Sequence, residues 1–433
     1  MSTQSDMNGS GPVPAPTPTL WRDPAFVVAA IIAVVVALGF GLIVPVLPLF
    51  ANSFGVGLFA VTGVVSAFAG VRLISNIYTG ELADRIGRRM AIGGGALIVA
   101  ISSLAAAAAP NYWALLVFRG LGGFGSALFF NALLALVVVS VPAHQRGRAV
   151  GALQGAFLFG ISVGPSVGGV LAEPLGFRWP FVIYAIACAV AGVVAFLFLP
   201  DPTPSTHVEA AAGAEDEPVA AAAAPKRGLG GMWHTARTLS ADPAFAAALV
   251  MMAASRWAAT GVRFSLIPVF AEEVVHANPR DIGFALTLAA LTHLALVVPA
   301  GRMIDKRGRR FLGAPAYFVF AFIAAGIGLA TSVPWFLFAM ALYGVGTGLT
   351  SVVPPAVVGD VTPPEQAGTA IGVLNTAGDL GSVLGPLVSG LLAEHLGYHW
   401  GFGASAGFLL VAAIWATRMR ETLPAQSVRE VAG

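Results

Sequence analysis

Long stretches without a charged residue recur along the whole chain. The first, residues 27–51, is 25 residues long, and a helix that crosses the hydrocarbon core of a bilayer needs about 20. The stretch is uniformly apolar rather than alternating, which favours a helix over a strand of a membrane barrel. It is too long for the core of a signal peptide, and no A-x-A-like cleavage site follows it. We therefore expect an uncleaved first membrane span.

Twelve such stretches follow one another, six in each half of the sequence. The predicted spans are residues 26–50, 58–80, 91–109, 113–140, 149–171 and 180–199, then 245–270, 282–301, 311–330, 335–354, 368–391 and 400–416. Because the number of spans is even, we expect both termini on the same side of the membrane.

Charge is scarce and unevenly placed. Only 10% of the 433 residues are charged, whereas a soluble protein has about 25%. With the N-terminus in the cytoplasm, 17 of the 23 Lys and Arg residues fall on that side, two on the other and four inside spans. This asymmetry follows the positive-inside rule, so we expect cytoplasmic termini and an inner (cytoplasmic) membrane location. The net charge of +2 gives no reason to expect nucleic acid as a partner. The single cysteine, Cys188, excludes an internal disulfide and is too isolated to build a metal site.

The two halves of the chain repeat each other at a constant offset. The segment that begins at Gly80 (GELADRIGRR) aligns with the one at Gly301 (GRMIDKRGRR), an offset of 221 residues. The segment that begins at Leu171 (LAEPLGFRW) aligns with the one at Leu392 (LAEHLGYHW) at the same offset. One ungapped register over about a hundred residues indicates a duplication, and halves of six spans each have the same orientation. Parallel repeats of this kind are how one class of transporter is built.

The predicted fold is therefore an all-α membrane protein of twelve transmembrane helices in two pseudo-symmetric six-helix bundles. We expect a disordered N-terminal tail at 1–20, the bundles at 21–200 and 244–420, a cytoplasmic linker at 201–243 and a C-terminal tail at 421–433. The linker is polar, rich in alanine and acidic in part, which is typical of disorder. A short interfacial helix is predicted at its end, over residues 232–239.

Several motifs carry a resemblance to a known family. The pattern G-x-L-A-D-R-x-G-R-R at residues 80–89 resembles the hallmark loop motif of the major facilitator superfamily, and the copy at 301–310 is similar. A second family motif is matched by Arg119-x-x-Gly-Gly-x-Gly in span four. Span five carries Gly160-x-x-x-Gly164-Pro165-x-x-Gly168-Gly169, which resembles the motif of the twelve-span drug:proton antiporters. The resemblance covers nearly the whole chain apart from the tails and the linker.

This resemblance implies a secondary active transporter that works by alternating access and has the major facilitator fold. It favours a proton-coupled antiporter that exports small organic molecules, with a substrate, protons and the bilayer as its partners. It implies no cofactor and no enzymatic activity, and we expect a monomer. A proton-coupled importer or a sugar or organic-acid permease shares the fold and remains open. A non-transporting membrane enzyme or receptor is the third possibility.

The loop motif has the chemistry of a conformational latch. A carboxylate near a helix N-terminus is favourable by about 0.3–2 kcal/mol. Asp84 is expected on the same side of the membrane as the start of span eleven, so the contact would form in one conformation only. The resemblance implies that such contacts stabilise the outward-open state, whereas the plainer interpretation is a basic loop that only sets topology. The candidate latch residues are Gly80, Asp84, Arg85, Gly87, Arg88, Asp305 and Arg309.

The glycines of span five form a stripe. Gly160, Gly164 and Gly168 are spaced by four, so another helix can approach that face closely. Pro165 removes a backbone hydrogen bond and is expected to bend the span. The resemblance implies a pivot and seal between the two halves, formed together with Gly169, while ordinary small-residue packing is the alternative.

Ionisable residues inside a span are costly and are usually functional. Asp379 is the only acid deep inside a predicted span, and burial favours the protonated form of a carboxylic acid. We predict that Asp379 carries the proton, with a structural partner for a nearby arginine as the alternative. Arg119 has Met340 as its mate in the second half, so packing symmetry does not require its charge. His293 is the third proton-coupling candidate and could equally be a hydrogen-bonded packing residue.

Four arginines and one aspartate make the predicted membrane interior net positive. The candidates for the substrate cavity are Arg72, Asn76, Arg256, Arg263 and Asn375. Arg72 and Asn76 are one turn apart on span two and share a face, whereas Arg263 lies near the end of span seven and could extend to the membrane surface. The first span carries no acid, unlike many antiporters of cationic drugs. We therefore expect a neutral, zwitterionic or anionic substrate.

Overall fold

The computed structural model describes residues 24–141, 145–200, 237–363 and 366–423. These ranges are helical and hold no β-strand. Twelve helices in them are long and apolar enough to cross a membrane, which confirms the predicted all-α fold. The predicted N-terminal tail, nearly all of the linker and most of the C-terminal tail lie outside the described residues.

We number the spans α1 to α12. In the first half they are α1 (Pro24–Asn52), α2 (Leu58–Ile86), α3 (Arg88–Ala107), α4 (Tyr112–Ser140), α5 (Arg146–Leu175) and α6 (Trp179–Phe198). In the second half they are α7 (Pro243–Glu273), α8 (Pro279–Arg307), α9 (Arg309–Leu329), α10 (Val333–Val361), α11 (Ala367–Leu396) and α12 (Tyr398–Arg418).

Three spans depart from a regular α-helix in their interior, and α9 ends in a short 3-10 helix, Ile327–Leu329. The α1 helix is interrupted after Ile43 and resumes at Val46, next to Pro45, because proline lacks the backbone donor that would continue the hydrogen-bond ladder. The α10 helix is interrupted in the same way after Ser351, before two prolines. The middle of α7, Ala258–Leu266, is a π-helix, a form that is rare and frequent at functional sites.

The packing within the two halves follows the duplication. In the first half α1 packs on α5, α2 on α4, and α3 on both α4 and α6. The same pattern recurs in the second half, where α7 packs on α11, α8 on α10, and α9 on both α10 and α12. The halves meet mainly through two helix pairs, α2 with α11 and α5 with α8. The repeat mates of α2 and α5 are α8 and α11. A two-fold axis along the membrane normal therefore converts the pair α2–α11 into the pair α5–α8.

Single glycines with positive φ form the tight connections between consecutive helices. Gly87 (φ 90°) is the only residue between α2 and α3, and Gly308 (φ 106°) occupies the same place between α8 and α9. Other residue types rarely adopt this conformation. Gly80, the other glycine of the loop motif that could permit a tight reversal, does not form one, because it lies inside α2 and a Cβ there would meet nothing within 4 Å.

Candidate functional site

The two halves are closed against each other on one face of the membrane. Because twelve spans separate the ends, the start of α1 and the end of α12 lie on one face, which we call the terminal face. On the opposite face, the Asn52 side chain donates a hydrogen bond to Glu273 (3.1 Å) across the halves. Deeper in the same side of the membrane, Ser66 Oγ donates to the Val383 carbonyl oxygen (2.8 Å). These bonds join α1 to α7 and α2 to α11.

The second helix pair is closed on the same side. The backbone amide of Ser166 on α5 donates to Thr287 Oγ1 on α8 (3.0 Å). A Cβ added at Gly169 would overlap the carbonyl oxygen of Pro279, and one added at Gly283 would overlap that of Pro165. At both positions the two backbones are therefore too close for any side chain.

Close approaches of this kind are not found around four glycines near the terminal face. Gly147 and Gly151 lie in the first turns of α5, and Gly368 and Gly372 are their mates on α11. A Cβ at any of the four would meet nothing within 4 Å. From the contacts at one face and the free space at the other, we infer that the described helices enclose a cleft that opens toward the terminal face and is closed at the opposite face.

Asp379 lies where the halves meet inside this cleft. Its Oδ2 accepts a hydrogen bond from Asn76 Nδ2 on α2 (3.4 Å). Asn131 Nδ2 on α4 donates in turn to Asn76 Oδ1 (3.2 Å) and to Thr79 Oγ1 (2.9 Å). A polar chain therefore runs from α11 through α2 to α4. Asn131 is not among the candidates expected from the sequence, although an amide within the apolar stretch FFNALL is a signal that indicates such a residue.

Two arginines border the same chain. Arg72 is half-buried, its guanidinium carbon is 5.9 Å from the Phe130 ring centre, and its Nε has no hydrogen-bond partner. The charges that act on it are those of Asp379 and Arg256. Arg256 is exposed. Its side chain packs against Gly378, the residue before Asp379, because its Cγ is 3.0 Å from the position that a Cβ on Gly378 would occupy.

The cleft holds more positive than negative charge. Within the described ranges, neither Arg72 nor Arg256 has a carboxylate oxygen within 4.0 Å. Asp379 accepts its hydrogen bond from an amide rather than from a guanidinium, although its charge acts on Arg72, so its role as a structural partner for that arginine stays open beside its role as the proton carrier. Asn375 is exposed one turn before Asp379 on α11.

Arg119 lies apart from the cleft. The residue is 1% exposed within the first half, with its guanidinium carbon 4.8 Å from the ring centre of Phe68. Its other close neighbours are Tyr184 and Cys188 on α6. Its Nε and Nη1 have no partner among the described residues. The structure therefore does not bring the proton-coupling candidates Arg119 and Asp379 together.

Arg263 and His293 form a separate group inside the second half. Arg263 is 7% exposed, in the π-helix of α7, with its guanidinium carbon 5.0 Å from the Phe264 ring centre. Its charge acts on His293 of α8 and on Tyr343 of α10. The alternative in which Arg263 extends to the membrane surface is therefore wrong, because its side chain is buried inside the bundle. Tyr343 donates to the carbonyl oxygen of Ala258 at the start of the π-helix (2.7 Å).

The two copies of the loop motif differ in what they bind. Asp84 is 73% exposed and lies 3.9 Å from Arg88 Nη2, with no hydrogen bond or ion pair to α11 among the described residues. Arg85 pairs with Glu81 on the surface (2.6 Å). The expected contact between Asp84 and the start of α11 is thus absent with the terminal face open.

The second copy is engaged within its own half. Arg309 is 8% exposed, and its guanidinium donates to Asp305 (2.7 Å) and to Asp360 at the end of α10 (2.9 Å). Glu421, just after α12, accepts from the backbone amides of Arg309 (2.7 Å) and Arg310 (3.0 Å) at the start of α9. These bonds tie α8, α9, α10 and the end of α12 together, so Asp305 and Arg309 do not join the two halves.

The glycine stripe of α5 faces the first span of its own half. A Cβ at Gly164 would lie 2.5 Å from Gly41 Cα. One at Gly160 would lie 2.7 Å from the Leu38 amide nitrogen, and one at Gly168 would overlap the Leu42 carbonyl oxygen. The expectation that these three glycines seal the two halves is therefore wrong. Gly169, one position away from the stripe, is the motif glycine that contacts the second half.

Comparison with known proteins agrees with this architecture. The model of the Major Facilitator Superfamily matches residues 29–275 and 251–432. The multidrug resistance protein MdtG of Enterobacter lignolyticus is 28% identical over 416 residues, which cover 90% of this chain and 92% of MdtG. The quinolone resistance protein NorA of Staphylococcus aureus is 28% identical over 169 residues. That match spans 39% of this chain and less than half (43%) of NorA.

Solved transporter structures share the fold. A bacterial homologue of the human lysosomal transporter Spinster, in an inward-facing and occupied conformation, superposes with a TM-score of 0.75 at 16% identity. That match covers 92% of this chain and 97% of the homologue. The human organic anion transporter MFSD10 (TETRAN) gives a TM-score of 0.62 at 19% identity, covering 92% of this chain and all of MFSD10. With the family model matched along both halves, the chain belongs to the Major Facilitator Superfamily, as a multi-pass membrane transporter.

Proposed function

We propose that the protein is a secondary active transporter that works by alternating access and exports small organic molecules in exchange for protons. In this proposal both termini lie in the cytoplasm and the protein acts as a monomer in the inner membrane. The terminal face is then the cytoplasmic face, and the open cleft is the inward-facing state, ready to take up substrate from the cell. The names of NorA and MdtG, both drug resistance proteins, support export.

The observation that carries the proposal is the position of Asp379. It is a carboxylate in the cleft, bonded through Asn76 across the boundary between the two halves. Protonation removes its charge and alters this bond at the place where α2 and α11 move relative to each other. A group whose protonation changes a contact between the moving halves can link proton binding to the conformational equilibrium, and the linkage is reciprocal.

The substrate follows from the charges around Asp379. Arg72 and Arg256 leave the site with one positive charge in excess when Asp379 is ionised, and with two when it is protonated. A lipophilic cation is repelled by this arrangement, so we propose a neutral, zwitterionic or anionic substrate. Asn76, Asn131 and Asn375 supply amide groups for neutral parts of such a molecule.

The same charges favour a second candidate function, the import of an organic anion together with a proton. Ionised Asp379 repels an anion that binds between Arg72 and Arg256, and protonated Asp379 does not. Anion and proton would then promote each other's binding, as in a symporter, whereas exchange requires that they oppose each other. For an anion, this linkage favours the importer, and for a neutral or zwitterionic substrate exchange remains the better proposal.

Transport by purified protein in proteoliposomes tests these alternatives. A panel containing a quinolone, an organic acid and an ethidium-like cation is offered under an imposed pH gradient. Uphill movement of a substrate against the proton flow supports the exporter, and movement with it supports the importer. Efficient transport of the cation with no transport of the acid would contradict the proposed substrate class. A membrane enzyme or receptor that does not transport would give no flux of any compound.

A further inference from the structure

Glu394 joins the two halves at the opposite face. It lies in the last turn of α11, and its Oε2 accepts a hydrogen bond from the backbone amide of Phe59 in the first turn of α2 (2.7 Å). The first amides of a helix have no partner inside the helix and carry a partial positive charge, so a carboxylate is favourable there. The residue before α2 is Gly57, which has no side chain that could cap the helix. The second half therefore provides this cap for the first half.

Gly57 makes room for the carboxylate. A Cβ at this position would lie 2.6 Å from Glu394 Oε2, which is well inside ordinary contact distance. The backbone of Gly57 is extended, with φ −67° and ψ 164°, so the conformation itself does not require glycine. The clash would involve the end of a flexible side chain, so an added methyl group can displace the carboxylate without disturbing the fold.

The duplication provides an internal comparison. The mate of Glu394 in the first half is Glu173 on α5, and the mate of the α2 start is the start of α8. There Asn278 caps its own helix, through a hydrogen bond from the Asp281 amide (2.8 Å). Glu173 is exposed and makes no hydrogen bond among the described residues. Capping across the halves therefore occurs at one of the two equivalent places only.

We propose that Glu394 is a conformational latch, which holds the cleft closed at the opposite face and must release α2 before that face can open. The inference rests on the alternating access of the proposed function. Asp84 lies at the other end of α2, on the terminal face, where the loop motif predicts a contact with the start of α11 in the other state. Each end of the α2–α11 pair then has one carboxylate and one helix N-terminus. Glu394 caps α2 at the opposite face, Asp84 caps α11 at the terminal face in the other state, and only one of the two contacts forms at a time.

Spin-label distances on the full-length protein in nanodiscs test the proposal. One label pair, at Gly147→Cys and Gly368→Cys, reports the terminal face, because neither position has a neighbour within 4 Å of an added Cβ. A second pair, at the exposed Leu175→Cys and Leu396→Cys, reports the opposite face. The buried Cys188 is replaced by Ala in every variant.

We expect Glu394→Gln and Gly57→Ala each to raise the ratio of opposite-open to terminal-open molecules by about two- to thirtyfold, from the range for a carboxylate at a helix N-terminus. The terminal pair should then shorten and the opposite pair lengthen. Glu173→Gln removes the same charge at the mate position and should leave both distance distributions unchanged.

Distributions for Glu394→Gln and Gly57→Ala that match those of Glu173→Gln would overturn the proposal. So would an equal shift in Glu394→Gln and Glu173→Gln, because the loss of a surface charge would then explain the effect. The measurement uses neither a substrate nor a proton gradient. Failure of the latch is therefore distinguishable from failure of proton exchange.

Discussion

Adding one methyl group at Gly169 is expected to separate the halves at the opposite face. The Cβ of Gly169→Ala overlaps the backbone carbonyl oxygen of Pro279 on α8, and backbone cannot turn aside as a side chain can. Overpacking of a well-packed contact typically costs about 1–3 kcal/mol. Because this contact joins the two halves, the cost falls on the state described above and not on its alternative. The ratio of opposite-open to terminal-open molecules should rise about 5- to 150-fold.

Two other glycines of α5 provide matched controls. The methyl group of Gly168→Ala overlaps the Leu42 carbonyl oxygen inside the first half, so its cost applies to both conformations. We expect that variant to lower the thermal unfolding temperature without changing the population ratio. A Cβ at Gly155 meets nothing within 4 Å, so Gly155→Ala should change neither quantity.

The same two spin-label pairs and a thermal unfolding curve separate these outcomes. If Gly169→Ala leaves the distances as in Gly155→Ala, the α5–α8 contact is not specific to one state. If it lowers the unfolding temperature as much as Gly168→Ala does and leaves the populations alone, the contact is ordinary packing. Either result would refute the assignment of Gly169 to the seal between the halves.

Three further predictions concern the arginines. Arg119→Met, which introduces the residue of its mate Met340, should keep or raise thermal stability, because a buried charge without a carboxylate partner is removed. A clear loss of stability in thermal unfolding would contradict this. Arg309→Met should destabilise the protein by about 3–5 kcal/mol in thermal unfolding, because it removes the charged partner of the largely buried Asp360, whereas exposed Arg310→Ala should cost under 0.5 kcal/mol. Arg256→Gln should weaken binding of an organic acid at least tenfold and change binding of a neutral compound little, measured as tryptophan fluorescence quenching; an equal loss for both would indicate a packing role.

Much of the architecture could be predicted because bilayer physics acts on local sequence. Each of the twelve predicted spans has its helix, since a hydrocarbon core imposes apolar stretches of helical length. The ends were less predictable. The second span was expected at residues 58–80, yet α2 continues to Ile86, because the helix extends beyond the hydrocarbon core until Gly87 ends it. Hydropathy detects the part in lipid, and the turn glycine sets the end of the helix.

The contacts of the candidate site were less predictable, because they depend on residues far apart in the chain. A spacing of four places Gly160, Gly164 and Gly168 on one face, but it does not say which helix packs there, and they face α1. Arg263 is buried and lies in the π-helix of α7, and no periodicity in the sequence indicated that form. Glu394 was overlooked because its position at a helix end is ordinary, and its contact with α2 exists only in the folded pair of halves.

The most direct test of the central claim is substrate-dependent proton flux in proteoliposomes, compared between wild type and Asp379→Asn. Asparagine keeps the size of the side chain and a carbonyl oxygen that can accept from Asn76, but it cannot be ionised. We predict that the variant reaches both conformations, still exchanges labelled substrate across the membrane without a gradient, and no longer moves protons with it. Unchanged proton movement per substrate in Asp379→Asn would contradict the account.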